Sequence, residues 1–307
     1  MGIWIDTDMG FDDIAAIMVA AHAGLSIDGV SLVFGNAPLA RVRSNAAGAA
    51  SAFVWPFPLH AGRAAPVLGR LETATSILGD AGMPSAGKRL PEADENFQAD
   101  AFGALCAWLE KAEDERRVLA LGPMTNIAAV ALARPDLAGK ITELTWMGGG
   151  VTTGNHTASA EFNAFADPEA LAIVLAHKIP LRMVDLDLCR QVLCSQDDVA
   201  PVRAAGGRNA ELLGDLLAGF VSIATSRGRP AMALYDAVAA VAFAHPDLVT
   251  WREARLDVEL AGTVTRGRTV VEVRAGRGEF NASYGAAINV EEAKTVILEA
   301  LRAEASW

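Results

Sequence analysis

The chain is predicted to fold as a single α/β domain over residues 1–307, with a mostly parallel central sheet flanked by helices. Three observations predict it. Short apolar runs alternate with longer helical patterns, as they do in βα units with parallel strands. Several of these runs stop at Gly, Asn or Asp, where a strand gives way to a loop. No linker, internal repeat or low-complexity segment divides the 307 residues, and a 52% hydrophobic composition suffices for one sizeable core.

The elements follow in order. Residues 3–6 read as a strand, and 12–21 as a helix with acids in its first turn, the sign favoured at a helix N-terminus. A second strand lies within 25–34 and ends at Gly35-Asn36; a helix over 40–53 and a short strand over 58–61 follow. Residues 70–97 carry Gly, Pro and mixed charge without periodicity and read as a long loop, of a length that often serves function. Next come a helix over 99–111, a strand over 117–121, Gly-Pro, and a helix over 125–133. The strand over 141–147 stops at Gly148, Gly149 and Gly150. A helix over 168–177 and a strand over 181–186 precede helices near 196–204, 208–226 and 234–244. Strands over 254–261, 268–274 and 284–290 and a helix closing at Arg302 complete the chain. Ligands of open parallel sheets bind beyond the carboxyl ends of the strands. Asp6, Asp8, Asn36, Leu121 and Gly148 all fall at such ends.

Charge and cysteine usage narrow the function. A net charge of −11 repels phosphates and anionic lipid, so neither nucleic acid nor membrane is expected as a partner. Apolar runs break before membrane-spanning length. Three cysteines without a Cys-x-x-Cys pair indicate neither a disulfide framework nor zinc, and read as buried thiols in a reducing compartment. The first strand opens at once, leaving no room for a signal peptide, so a soluble cytoplasmic protein is expected.

The chemistry concentrates at the first strand. Ile3-Trp4-Ile5 leads into Asp6, Asp8, Asp12 and Asp13. Carboxylates brought this close repel one another unless a cation sits among them, so a divalent metal is expected. An EF-hand loop starting at Asp6 would need Glu at its twelfth position, which is Ile17. Gly148–Gly150 lacks the Lys-Ser/Thr that follows a phosphate-binding loop. Asp-x-Asp after a first strand also resembles the haloacid-dehalogenase-type phosphatases, with Asp6 or Asp8 as nucleophile and Mg²⁺. Those need a Ser or Thr ending a later strand, whereas Trp146-Met147-Gly148 has no hydroxyl.

The opening Asp6-x-Asp8-x-Gly10-x-Asp12-Asp13 resembles the Asp-x-Asp-x-Gly-x-Asp-Asp signature of the nucleoside hydrolases, and the likeness continues along the chain. Phe34-Gly35-Asn36 is similar to the family's Val-Gly-Asn, and Leu121-Gly122-Pro123-Met124-Thr125-Asn126-Ile127-Ala128 to its Gly-Pro-Leu-Thr-Asn-Ile-Ala turn. Met147-Gly148-Gly149-Gly150, Asn155, Ala160-Glu161-Phe162-Asn163 and Asp167-Pro168-Glu169-Ala170 continue the order, and Asp236 stands where the family carries a late Asp.

The resemblance implies a Rossmann-like fold and hydrolysis of the N-glycosidic bond of a ribonucleoside to ribose and free base. It implies Ca²⁺ held by Asp8, Asp13, Asp236 and the main-chain carbonyl of Leu121. Asp8 would activate the attacking water, with Asn36 beside the water and ribose. Asp12 and Asn163 would bind ribose hydroxyls, Asn155 and Glu161 the 5′-hydroxyl, and Met147, Phe162 and Tyr235 would line the substrate site. Asp6 would support the cluster from behind. The partner would be a free nucleoside, and the assembly a homodimer or homotetramer.

The half of the site that meets the base departs from the family. Tyr235 replaces the His that assists the leaving base in the inosine-uridine type, although purine-specific members carry an aromatic there. Ser76-Ile77-Leu78-Gly79 replaces that type's His-x-His-Gly. Base and leaving-group acid thus stay unassigned, and a homologue that binds nucleoside or ribose with impaired catalysis is the alternative. His156 reads as a surface-loop residue; Arg227 and Arg229, beside Gly228-Pro230, read either as closing over the pocket or as solvated at a helix junction, the second being preferred.

Overall fold

The computed structural model describes residues 2–97, 100–111 and 115–307. Its main sheet is built from β1 (Gly2–Thr7), β2 (Ser26–Leu32), β3 (Leu59–Ala61), β4 (Arg116–Ala120), β5 (Ile141–Met147) and β6 (Leu181–Val184). A small two-stranded sheet pairs β7 (Leu193–Ser195) with β8 (Ala231–Ala233). β9 (Val249–Val258), β10 (Thr269–Glu272) and β11 (Ala282–Ile288) extend the main sheet at one edge.

The nine strands run in the order β10-β9-β11-β6-β5-β4-β1-β2-β3. From β3 to β11 every neighbouring pair is parallel; β9 runs antiparallel to β11, and β10 to β9. The predicted sheet, mostly parallel, is the one observed. Strand order reverses between β1 and β4, and such a switch point opens a crevice beyond the strand ends.

Alternation along β1 places the core. Ile3 and Ile5 face one apolar cluster and Trp4 the other, so the strand is buried on both sides. On the first face, helix Phe11–His22 packs against helices Tyr235–Ala244 and Val290–Ala305. Helices Ala101–Glu110, Thr125–Ala133 and Pro168–Ala176 cover the second. Helix Phe11–His22 is buried from Phe11 to Ala20, which makes it a core helix rather than an amphipathic surface one.

Several boundaries differ from the sequence expectation. The strand expected over 181–186 ends at Val184, because Asp185 caps a helical turn, Leu186–Cys189, by accepting from the Leu188 N–H. The edge strand expected from 254 begins at Val249, and its partner expected from 284 begins at Ala282. The loop over 70–97 contains one helical turn, Thr75–Leu78. Ala99, the expected first residue of the following helix, lies outside the described residues. All three cysteines are buried and free. Among the described residues, no helix is long and apolar enough to cross a membrane.

Candidate active site

Beyond the ends of β1, β4 and β5 lies a cavity of about 300 Å³ floored by acids. Asp8 leaves β1 just before Met9, which takes a left-handed φ of 49° and turns the chain sharply into the next helix. That helix carries Asp12 and Asp13 in its first turn, and the helix packed against it carries Asp236 in its own. Two helix N-termini thus aim carboxylates at one point, where the helix dipoles favour negative charge. Carboxylate oxygens of Asp12, Asp13 and Asp236 lie within 4.8 Å of one another.

The backbone and neighbouring side chains hold these acids in place. Thr7 Oγ1 donates to Asp13 Oδ1 at 2.5 Å, and the Gly10 N–H donates to Asp13 Oδ2 at 2.7 Å. Asn36, at the turn after β2, donates its backbone N–H to Asp8 Oδ2 at 2.7 Å and its amide to Asp8 Oδ1 at 2.9 Å. The same amide reaches Asp13 Oδ2 at 3.2 Å and so ties Asp8 to the trio. Gly35 is required here: a Cβ at that position would fall 1.9 Å from Asp8 Oδ2.

Asp6 sits behind the floor, fully buried and outside the cavity. Its Oδ1 accepts from Ser31 Oγ and, at 2.7 Å, from Asn126 Nδ2, while its Oδ2 has no partner. That environment keeps Asp6 out of the cavity, so the phosphatase alternative loses Asp6 as nucleophile.

Burial sets the electrostatics. It pushes the Asp6 carboxyl up to about 7 and Asp12 to about 8, the latter aided by the charge of Asp13. Asp8 and Asp236 rise well above the carboxylate range, through burial first and then their charged neighbours, and burial raises Asp13 as well. Among the described residues, no Lys or Arg forms an ion pair with any of the five. Crowded, buried carboxylates with no basic partner form a hard-oxygen donor set that fits a divalent cation.

Another part of the lining comes from the segment after β5. Glu161 caps the short helix Phe162–Ala166, with Oε1 accepting from the Asn163 N–H and Oε2 from those of Ala164 and Gly149. Burial still pushes its carboxyl up to about 7. Asn163 Nδ2 donates to the carbonyls of Leu121, at 2.9 Å, and Met147, at 3.0 Å, and so ties the ends of β4 and β5 together. Asn155, on the exposed loop, accepts from the Phe162 N–H at 2.9 Å. Gly148 makes room for the Trp146 indole, since a Cβ there would lie 2.0 Å from its ring.

Twelve of the thirteen residues singled out from the sequence gather here; eleven line the cavity, Asp13 belongs to its acidic floor, and only Asp6 stands outside. Asp12, expected on the ribose, belongs to the tight carboxylate trio, and Asp8, expected on the ion, is clamped by Asn36 at its edge. Three further residues weighed in the sequence also line the cavity. His156 is on the exposed loop as expected but also lines the cavity, its ring 4.5 Å from that of Phe165. Arg227 and Arg229 are exposed, as the solvated reading had it, and both line the cavity, as the alternative had it. Arg190 was missed; its guanidinium reaches Thr153 Oγ1 and the Gly154 carbonyl across a fold-level contact that no local motif signals.

A doubly wound sheet with this acid-floored cavity at its switch point defines an α/β enzyme with a candidate metal centre. The chain belongs to the inosine-uridine preferring nucleoside hydrolase family, whose model matches residues 3–302, and it is a glycosidase. It is 31% identical over 293 residues to the pyrimidine-specific ribonucleoside hydrolase RihB of Escherichia coli O1:K1 / APEC, covering 94% of this chain and 93% of that protein. Among solved structures, it superposes on the purine-preferring ribonucleoside hydrolase from Gardnerella vaginalis with a TM-score of 0.91 at 23% identity, covering 100% of this chain and 99% of the other. The inosine-guanosine nucleoside hydrolase gives 0.85 at 25%, with 100% and 99% covered.

Proposed function

We propose that the protein hydrolyses the N-glycosidic bond of a ribonucleoside, releasing ribose and free base, with Ca²⁺ as resident cation. The observation that carries this reading is the convergence of Asp12, Asp13 and Asp236 beside the Asn36-clamped Asp8. Asp8, Asp13, Asp236 and the Leu121 carbonyl are the groups we assign to the ion. When bound, Ca²⁺ would acidify a water and grip the vicinal ribose hydroxyls.

The chain's own residues then do the following. Asp8, held in one orientation by Asn36, accepts the proton of the attacking water as its oxygen bonds to C1′. Asp12 and Asn163 hold ribose hydroxyls, and Asn155 and Glu161 the 5′-hydroxyl, so that binding free energy favours the flattened, cationic sugar of the transition state. The bond between C1′ and the base breaks with its electron pair passing to the base, which takes a proton from solvent to become the free base. A dense array of carboxylates favours that developing positive charge. Met147 and Phe162 flank the sugar, and Tyr235 faces the base. The same reading has a free nucleoside as substrate, the cytoplasm as the place of work, and a homodimer or homotetramer as the assembly.

The test is ribose release from a panel of purine and pyrimidine nucleosides by wild type and Asp8→Asn. Asp8→Asn is expected to lower kcat about 10²–10⁴-fold, the range for loss of a general base. A variant with full activity would remove Asp8 from that role.

A further inference from the structure

The cavity is not lined by acids alone. Arg190, Arg227 and Arg229 also line it, three guanidinium groups on a chain that is acidic overall. Among the described residues, the guanidinium groups of Arg227 and Arg229 have no hydrogen-bond or ion-pair partner. The same cavity is lined by the apolar side chains of Ile77, Phe220, Ile223 and Met232, suited to a flat heterocycle. Arg190 and Arg229 are close enough to the Tyr235 phenol for their charges to act on it, which puts these two on the side of the cavity proposed for the base. The ribose hydroxyls belong at the acids, where oxygen donors and a cation gather. The group that reaches the arginines is therefore an edge of the base. Glu161, a carboxylate next to the assigned 5′-hydroxyl position, disfavours a phosphate there.

Resting on the hydrolase reading above, we propose that the preferred substrate is a nucleoside whose base carries a carboxylate on the edge remote from the glycosidic bond. A guanidinium fork matches a planar carboxylate in two parallel hydrogen bonds, and unpaired forks at a pocket rim supply that match.

The test uses the full chain loaded with Ca²⁺ and four probes: 5-carboxyuridine, its neutral 5-carboxamide isostere, uridine, and uridine 5′-monophosphate. Steady-state kcat/KM and calorimetric Kd are measured for each. 5-Carboxyuridine is expected to exceed the carboxamide by about tenfold or more in both quantities. In the exposed double variant Arg227→Gln/Arg229→Gln that ratio is expected to fall about tenfold, and in Arg227→Lys/Arg229→Lys by less, because charge is kept and the fork is lost. Equal use of acid and amide, or a ratio that the double glutamine variant leaves unchanged, would overturn the proposal. So would preference for the 5′-monophosphate, which would assign the rim to a phosphate. Binding is read apart from turnover, so the two readings fail separately. Tight binding of 5-carboxyuridine with no ribose released from any probe would contradict the hydrolase reading alone. Turnover of uridine without preference for the acid would contradict this proposal alone.

Discussion

Asn36 holds Asp8 at both carboxylate oxygens, by its backbone N–H at 2.7 Å and its side-chain amide at 2.9 Å. In the general-base role proposed for Asp8, a carboxylate fixed in this way needs no reorganisation when it accepts a proton. Asn36→Ala removes the amide half of the clamp and is expected to lower kcat about 10–100-fold, as loss of an orienting partner does. Asn36 is only half-buried, so the melting temperature should hardly move. Steady-state kinetics with thermal melting check both halves, and unchanged kcat would mean that Asp8 is oriented by something else.

Gly35 makes the same point without any functional group. A Cβ there would meet Asp8 Oδ2 at 1.9 Å. Because the contact is with the carboxylate itself, Gly35→Ala is expected to displace it and lower kcat/KM about 10²-fold. Activity within about twofold of wild type would show that the carboxylate can shift without loss, against the geometry argued above.

A cation held by Asp8, Asp13 and Asp236 would oppose protonation of Asp12, whose carboxylate lies beside two of them. Asp12 titrates near 8 in the metal-free fold, against an ordinary 3.8, because of burial and then the Asp13 charge. A raised folded value means that its contribution to stability is full below the unfolded value and is lost as pH rises through about 8. A cation removes that loss. The melting temperature of metal-free protein should therefore fall from pH 5 to pH 8, and the gain on adding Ca²⁺ should be larger at pH 8. At a hundredfold excess over Kd the gain is worth about 2.7 kcal/mol. Asp236→Ala should weaken Ca²⁺ binding and shrink the gain; an equal gain at both pH values, or unchanged Ca²⁺ affinity in that variant, would contradict the ligand assignment.

Asn163 bridges two strand ends through the carbonyls of Leu121 and Met147. Asn163→Leu leaves both without this donor and is expected to destabilise the protein by about 1–3 kcal/mol. Chemical unfolding measures it, and a neutral result would show that neither carbonyl depends on the amide.

The parts of the fold legible in sequence were those with a local cause. β5 and helix Thr125–Ala133 lie where apolar periodicity and bounding Gly or Pro put them. β9 starts five residues early, at Val249, because Trp251, Arg252 and Glu253 carry no apolar alternation and pair only through the sheet edge. β7 and β8 are three residues each and exist by pairing with one another across the chain. In the site, the opening acids were readable from their crowding, whereas Asp236 was reached only through family resemblance. Arg190 carries no motif and the fold alone brings it to the cavity, whereas Arg227 and Arg229 were already candidates from their place beside Gly228-Pro230.

The most direct measurement is ribose release by the wild-type protein before and after complete removal of metal, then after return of Ca²⁺. The account predicts loss of turnover to background on removal and recovery with Ca²⁺. Turnover undiminished in the metal-free protein would contradict it.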